Sequence, residues 1–233
     1  LDTANGAITA TSGGALTVTD VASGTNGNIT LTTTSGDITG LATVNAGSGN
    51  VTLNSAGAIV DDGSAGTVIT GGVLTADAAG AITIDSTVAS ANISTSAAGN
   101  VDLDETDGIT LTDLDTNDGS ITVDAGGLIT ATDVVAAGGS GDSVTLTTTT
   151  GGAVATLVTG ADAVSITANA GDITIGAVTA TAGILGVTAT AGSINDAADD
   201  NTADFTAGGL ITLTAQDEIG VLGSGTDADL AVA

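Results

Sequence analysis

The sequence predicts an all-β chain wound into a three-faced parallel β-helix, and three observations predict it. Apolar-x-apolar triplets recur along all 233 residues. The triplets fall into three columns that interleave in constant order, and Gly or Asp stands at the bends between them.

The triplets read ITL, VTL, ITI, VDL and ITV. Each is a short strand of period two, with apolar side chains facing one way and the Thr or Asp between them facing the other. Composition agrees. The chain is 42% hydrophobic, and its Val, Ile and Thr suit strands, whereas 36 Gly and few helix formers disfavour helices. This apolar content also separates it from acidic disordered chains.

The first column starts at Leu16, Ile38, Ile59, Ile82, Val101, Ile121, Val144, Val164, Leu185 and Ile211. The second runs Val21, Val44, Val68, Val88, Ile109, Ile129, Val154, Ile173, Ile194 and Ile219. The third runs Ile8, Ile29, Val51, Val73, Ile93, Leu114, Val135, Val158, Val178 and Phe205. Most steps within a column are 19 to 25 residues, stretching to 26 or 27 near residues 195–204. The expectation is about ten coils of 19–27 residues, none of which buries its apolar face without its neighbours. Parallel crossovers are right-handed by default, so a right-handed solenoid is expected.

The bends fit the same register. Two residues before the first column stand Gly14, Gly36, Gly57, Gly80, Gly99, Gly119, Asp142, Asp162, Gly183 and Gly209. Before much of the second stand Gly66, Asp107, Gly127, Gly152, Gly171, Gly192 and Asp217. Positive φ at these corners would select Gly, then Asp. Before the third column Asn28, Asn50, Asn92 and Asp113, with Gly72 between, suggest a ladder of stacked side-chain amides. The segment 195–204 reads as a loop insertion, and the tail 221–233 fits the repeat poorly. No domain boundary interrupts residues 1–233. The chain begins at Leu1 without a signal peptide, and neither end offers a polar cap. The expectation is therefore a segment of a longer chain or filament, with flanking repeats or further copies as partners.

Charge narrows function. There are 27 acidic residues and no Lys, Arg or His, which speaks against nucleic acid and against anionic membrane surfaces. No apolar run reaches the roughly 18 residues of a membrane helix. Without Cys there is no disulfide framework or thiolate metal site. The usual nucleophile–base pairs cannot be built without His, Cys or Lys, so catalysis is not expected.

The coil length, the G-x-I-T-[LVI] strand openings and the Gly corners resemble the repeat region of filamentous haemagglutinin-type exoproteins. These are large bacterial surface adhesins of the two-partner secretion type, and the resemblance spans essentially the whole chain. It implies an extracellular or cell-surface, bacterial, structural role.

The acidic residues supply the candidate site. Three residues into the first column stand Asp62, Asp85, Asp104 and Asp124, followed by Thr147, Thr167, Thr188 and Thr214. Alternation turns Asp85, Asp104 and Asp124 outward on adjacent coils, about 4.8 Å apart. Asp102 flanks the same row, while Val60 and Asp61 disturb the alternation before Asp62. Like charges at that spacing repel by about 1 kcal/mol per pair even in water. The row is either solvated and screened by salt, or a ladder whose carboxylates are bridged by Ca²⁺. Ten coils make a rod about 50 Å long. Its 27 charges lie about 1.8 Å apart, close to the roughly 1.7 Å of duplex DNA, so condensed counterions are expected.

Other motifs have simpler explanations. The echo between residues 102–108 and 113–119 falls on different faces, so the two loops do not form one site. GGSGDSV (138–144) is like a calcium nonapeptide but suits a plain corner. The sequons at Asn28, Asn50 and Asn92 coincide with the amide ladder. Outward Thr pairs such as Thr145/Thr147 keep an ice- or glycan-binding solenoid as the alternative of another class. The expected function is a structural, non-catalytic shaft, with a self-assembling filament subunit as the alternative, associating end to end or laterally.

Overall fold

The computed structural model describes residues 1–64, 66, 69–198 and 202–220, and the backbone alone of 230–232. Within them the chain is a parallel β-solenoid of about nine turns, without helix. Every strand pairing is parallel and joins one coil to the next.

The first face carries ten rungs. Leu16 pairs with Ile38, Ile38 with Ile59, Ile59 with Ile82, Ile82 with Val101, and Val101 with Ile121. The register continues from Ile121 through Val144, Val164 and Leu185 to Ile211. All ten expected starts therefore align. The inner residues form one apolar core along the rod axis, with Ile38, Leu103, Ile121 and Ile166 fully buried.

The other faces follow with corrections of one or two residues. On the second, Val44 pairs with Ile69, and the expected Val68 lies outside the described residues. Ile129 pairs with Ala153 rather than Val154, and Ile69 pairs with Ser86, so the expected Val88 stands two residues on and meets Gly71. On the third, Val51 pairs with Leu74 and Leu114 with Val134, so Val73 and Val135 turn outward. Adjacent apolar residues cause the one-residue slips, because period two cannot decide which of a Val-Leu or Val-Val pair faces inward. The shortest coil, from Ile82 to Val101, contains one continuous strand, Ile82–Ala98. There the third face slips by two residues, since Leu74 pairs with Ala91 while Ile93 pairs with Leu114. Residues 199–201 of the insertion lie outside the described residues. Near the end, Leu230–Val232 adds a rung above Phe205.

Corner glycines have a different cause from the one expected. Gly36, Gly66 and Gly171 adopt positive φ, but most of the others do not. Close stacking selects them instead. A Cβ would lie 2.3 Å from the Gly99 carbonyl oxygen at Gly119, 2.1 Å from that of Asp172 at Gly152, and 2.4 Å from that of Gly171 at Gly192. Gly14, on the first coil, meets nothing within 4 Å.

The ladders at the corners also differ from the expected form. Asn28 Oδ1 accepts from the Asn50 backbone N–H at 2.9 Å, and Asn50 Oδ1 from that of Val73 at 3.3 Å. The side chain thus bonds the main chain of the next coil rather than another amide. Val73, not Gly72, is the intervening rung. Asp37, Asn100 and Asp172 act alike, accepting from Ala58, Ser120 and Ser193 at 2.8–3.0 Å. Each satisfies an N–H that the bend removes from the strand ladder.

Candidate functional site

The first face holds the acidic row in register. Asp85 pairs with Asp104 and Asp104 with Asp124, and the next rung substitutes Thr147. Asp104 and Asp124 are exposed and Asp85 is half-buried. Asp102 lies on the adjacent outward line, between Thr83 and Thr122. Burial is the first cause raising the Asp85, Asp102 and Asp104 carboxyls above the usual carboxylate range. Their neighbours' charges add to it: Asp104 feels Asp102, Asp85, Asp124 and Asp61. A hydrogen bond from the Gly66 amide partly offsets the effect at Asp85.

Asp62 stands apart. It follows the strand Ile59–Asp61 and turns its carboxylate to the Ser64 hydroxyl and backbone N–H, which hold it below its ordinary value. Asp61, passed over in the sequence reading, acts on Asp85, Asp102 and Asp104. Among the described residues, no three acidic groups converge in a metal-holding arrangement. The geometry is a row, one carboxylate per rung, rather than a cage.

A second acid was also missed. Glu105 is 4% exposed, facing inward at the corner that leaves the first face. Its carboxylate accepts from the Ser86 hydroxyl at 2.6 Å, the Val88 N–H at 3.1 Å and the Asp107 N–H at 3.4 Å. Burial pushes its pKa up, and the Asp107 side chain adds to this, against the lowering effect of those donors. Alternation along VDLDE could have found it, because the residue after outward Asp104 must turn inward. The short Ile82–Val101 coil explains its use: Val88 lies where that coil runs on without a bend, and Glu105 reaches back to its N–H.

The third face carries a smaller acidic corner. The Asn92 side-chain N–H donates to Asp113 at 3.3 Å, and Asp133 follows one coil on. Asp133 Oδ1 is buried without a hydrogen-bond partner among the described residues. Burial, then Asp113 and Asp133, raise the Asp115 carboxyl. In GGSGDSV, Asp142 accepts from the Gly139 N–H at 2.8 Å and closes a bend. The threonine row, Thr147, Thr167, Thr188 and Thr214, is continuous, whereas Gly186 interrupts the row beside it.

In comparisons with known proteins, no family model, no curated protein and no solved structure matches the chain. The resemblance to filamentous haemagglutinin-type repeats thus rests on strand and corner pattern, and what stands of it is the parallel β-solenoid.

Proposed function

We propose that the chain is a structural, non-catalytic segment of an extracellular bacterial fibre or adhesin shaft, stabilised by divalent cations, with Ca²⁺ the leading candidate. The observation that supports this best is the unbroken register of the first face, which stacks Asp85, Asp104 and Asp124 one per rung. A parallel ladder gives stiffness along the axis, and the net charge of −27 keeps the sides soluble and apart. A cation between rungs would offset the repulsion of neighbouring carboxylates and keep water for its remaining ligands. The lack of Lys and Arg removes every trypsin-type cleavage site, which suits a protein that persists outside the cell.

Thermal unfolding in EDTA and in added Ca²⁺ at constant ionic strength tests the cation. Calcium should raise Tm more than an equal ionic strength of Na⁺, and equal Tm values would end the divalent reading. Electron microscopy tests the shaft, for which long fibres of constant width are expected and isolated short rods count against it.

A filament subunit is the second reading. Ile211, Leu213 and Ala215 on the last first-face rung, and Leu16 on the first, are only partly buried against the core. Stacked copies or flanking repeats would cover them. Fibres formed by the purified chain alone would assign the contact to copies.

A further inference from the structure

The sequence contains two Asn-Gly pairs, Asn5-Gly6 and Asn26-Gly27, at successive bends of the first coils. In such a pair the glycine N–H can attack the preceding side-chain amide, because no Cβ hinders its approach. The two pairs sit in different surroundings. Asn5 Oδ1 accepts from the Thr25 backbone N–H at 3.2 Å and from the Thr25 hydroxyl at 2.5 Å. A backbone N–H can only donate, so the oxygen rather than the nitrogen of the Asn5 amide faces Thr25. Gly6 has no hydrogen-bond partner for its N–H among the described residues, and the nearest atoms a Cβ there would meet are those of Thr3, at 3.6 Å. Asn26 Oδ1 accepts from the Ser48 hydroxyl at 2.6 Å. Gly27 is buried and tightly stacked, since its Cβ would lie 2.4 Å from the Gly6 carbonyl oxygen.

We infer that Asn5 is a site of spontaneous deamidation whose rate is set by Thr25 of the next coil. The Gly6 nitrogen bonds to Asn5 Cγ and gives up its proton to solvent. The Cγ–Nδ2 bond then breaks, and ammonia leaves with a proton taken from water. The resulting succinimide adds one water and opens to aspartate or isoaspartate, so the net change is water in and ammonia out. Negative charge develops on Oδ1 during attack, where the two Thr25 donors already point, as donors do in an oxyanion hole. Asn26 has the same neighbour in sequence but fewer donors and less room for the backbone to swing. Isoaspartate lengthens the main chain by one methylene, which withdraws the acceptor from Thr25 and adds a negative charge to the bend.

Incubation of the folded chain at mildly alkaline pH, followed by peptide mass spectrometry that separates aspartate from isoaspartate, tests this. Asn5 should convert several-fold faster than Asn26, and the ratio should fall towards one in denaturant. Thr25→Val should slow Asn5 several-fold and leave Asn26 unchanged, Thr25→Ser should restore the rate, and Gly6→Ala should suppress it. Thr25 is exposed, so folding should survive these changes. Equal rates at the two asparagines in the folded chain, or an Asn5 rate indifferent to Thr25→Val, would overturn the assignment.

Discussion

The first face carries two different outer rows on one kind of core. From Ile82 to Ala125 its outward pairs are Thr83/Asp85, Asp102/Asp104 and Thr122/Asp124. From Val144 to Ala215 they are Thr145/Thr147, Ser165/Thr167, Gly186/Thr188 and Thr212/Thr214. The inward residues barely change: Ile82, Ile84, Leu103 and Val123 in one half, and Val144, Leu146, Ile166 and Val187 in the other, are all at most 1% exposed. Register passes from Asp124 to Thr147 without a slip. The inner alternation therefore sets the fold, and the outer row is free to carry charge or hydroxyls. Stacked carboxylates add repulsion that the fold does not require, which makes the acidic half the place to look for function.

If the two halves share one core, equivalent cavities should cost the same in each. Leu103→Ala beneath the acidic row and Ile166→Ala beneath the threonine row should each lose about 2–5 kcal/mol, measured by denaturant unfolding. A loss below about 1 kcal/mol in only one half would show that the outer row changes how the core is held.

Glu105 breaks the comparison from inside, because Ala125, Ala168 and Ala189 occupy its place on other rungs. Glu105→Ala leaves the Val88 N–H and the Ser86 hydroxyl without their acceptor and should cost about 1–3 kcal/mol. Folding raises the pKa of this carboxyl, so its proton favours the folded state. That contribution is complete below the unfolded value of about 4.3 and is lost as pH rises through the folded one. The penalty of the alanine variant should therefore be larger in mild acid than at neutral pH. A penalty independent of pH would place the protonation elsewhere.

Where polar and apolar residues alternate strictly, as in ITIDS and VDLDE, the sequence already shows face, register and the outward Asp row. Where two apolar residues adjoin, as in Val73-Leu74 and Val134-Val135, the choice between them depends on bend geometry that no local pattern carries. Glycine positions were legible but their cause was not. A residue forced out by the main chain of another coil looks, in sequence, like one chosen for its φ. Glu105 was hidden for a related reason: an acid at an inward position makes sense only once the N–H it serves, 17 residues away, is known. Asp61 was hidden because the chain bends directly after it.

The smallest expected effect separates charge from strand preference. Asp104→Thr makes an acidic rung resemble a threonine rung, and Thr167→Asp does the reverse. Thr also suits strands better than Asp, so both changes carry a propensity difference of similar size and opposite sign. Only the first relieves repulsion, because Asp85 and Asp124 flank Asp104 while Thr147 and Thr188 flank Thr167. At low salt without divalent ions, Asp104→Thr should stabilise by about 1 kcal/mol or less, an exposed-charge magnitude. Its gain should shrink as salt shortens the screening length to about 10 Å at 0.1 M and below that in stronger salt. The raised carboxyls of Asp85, Asp102 and Asp104 should contribute stability that is complete below about pH 3.9 and is lost as pH climbs through their folded values. Asp104→Thr should flatten that profile. Equal and opposite effects of the two variants at every salt concentration would mean that the row carries no rung-to-rung repulsion. With Ca²⁺ present the sign should reverse, because the threonine then removes a ligand instead of a charge. A gain that persists in Ca²⁺ would leave the row a screened, solvated stripe.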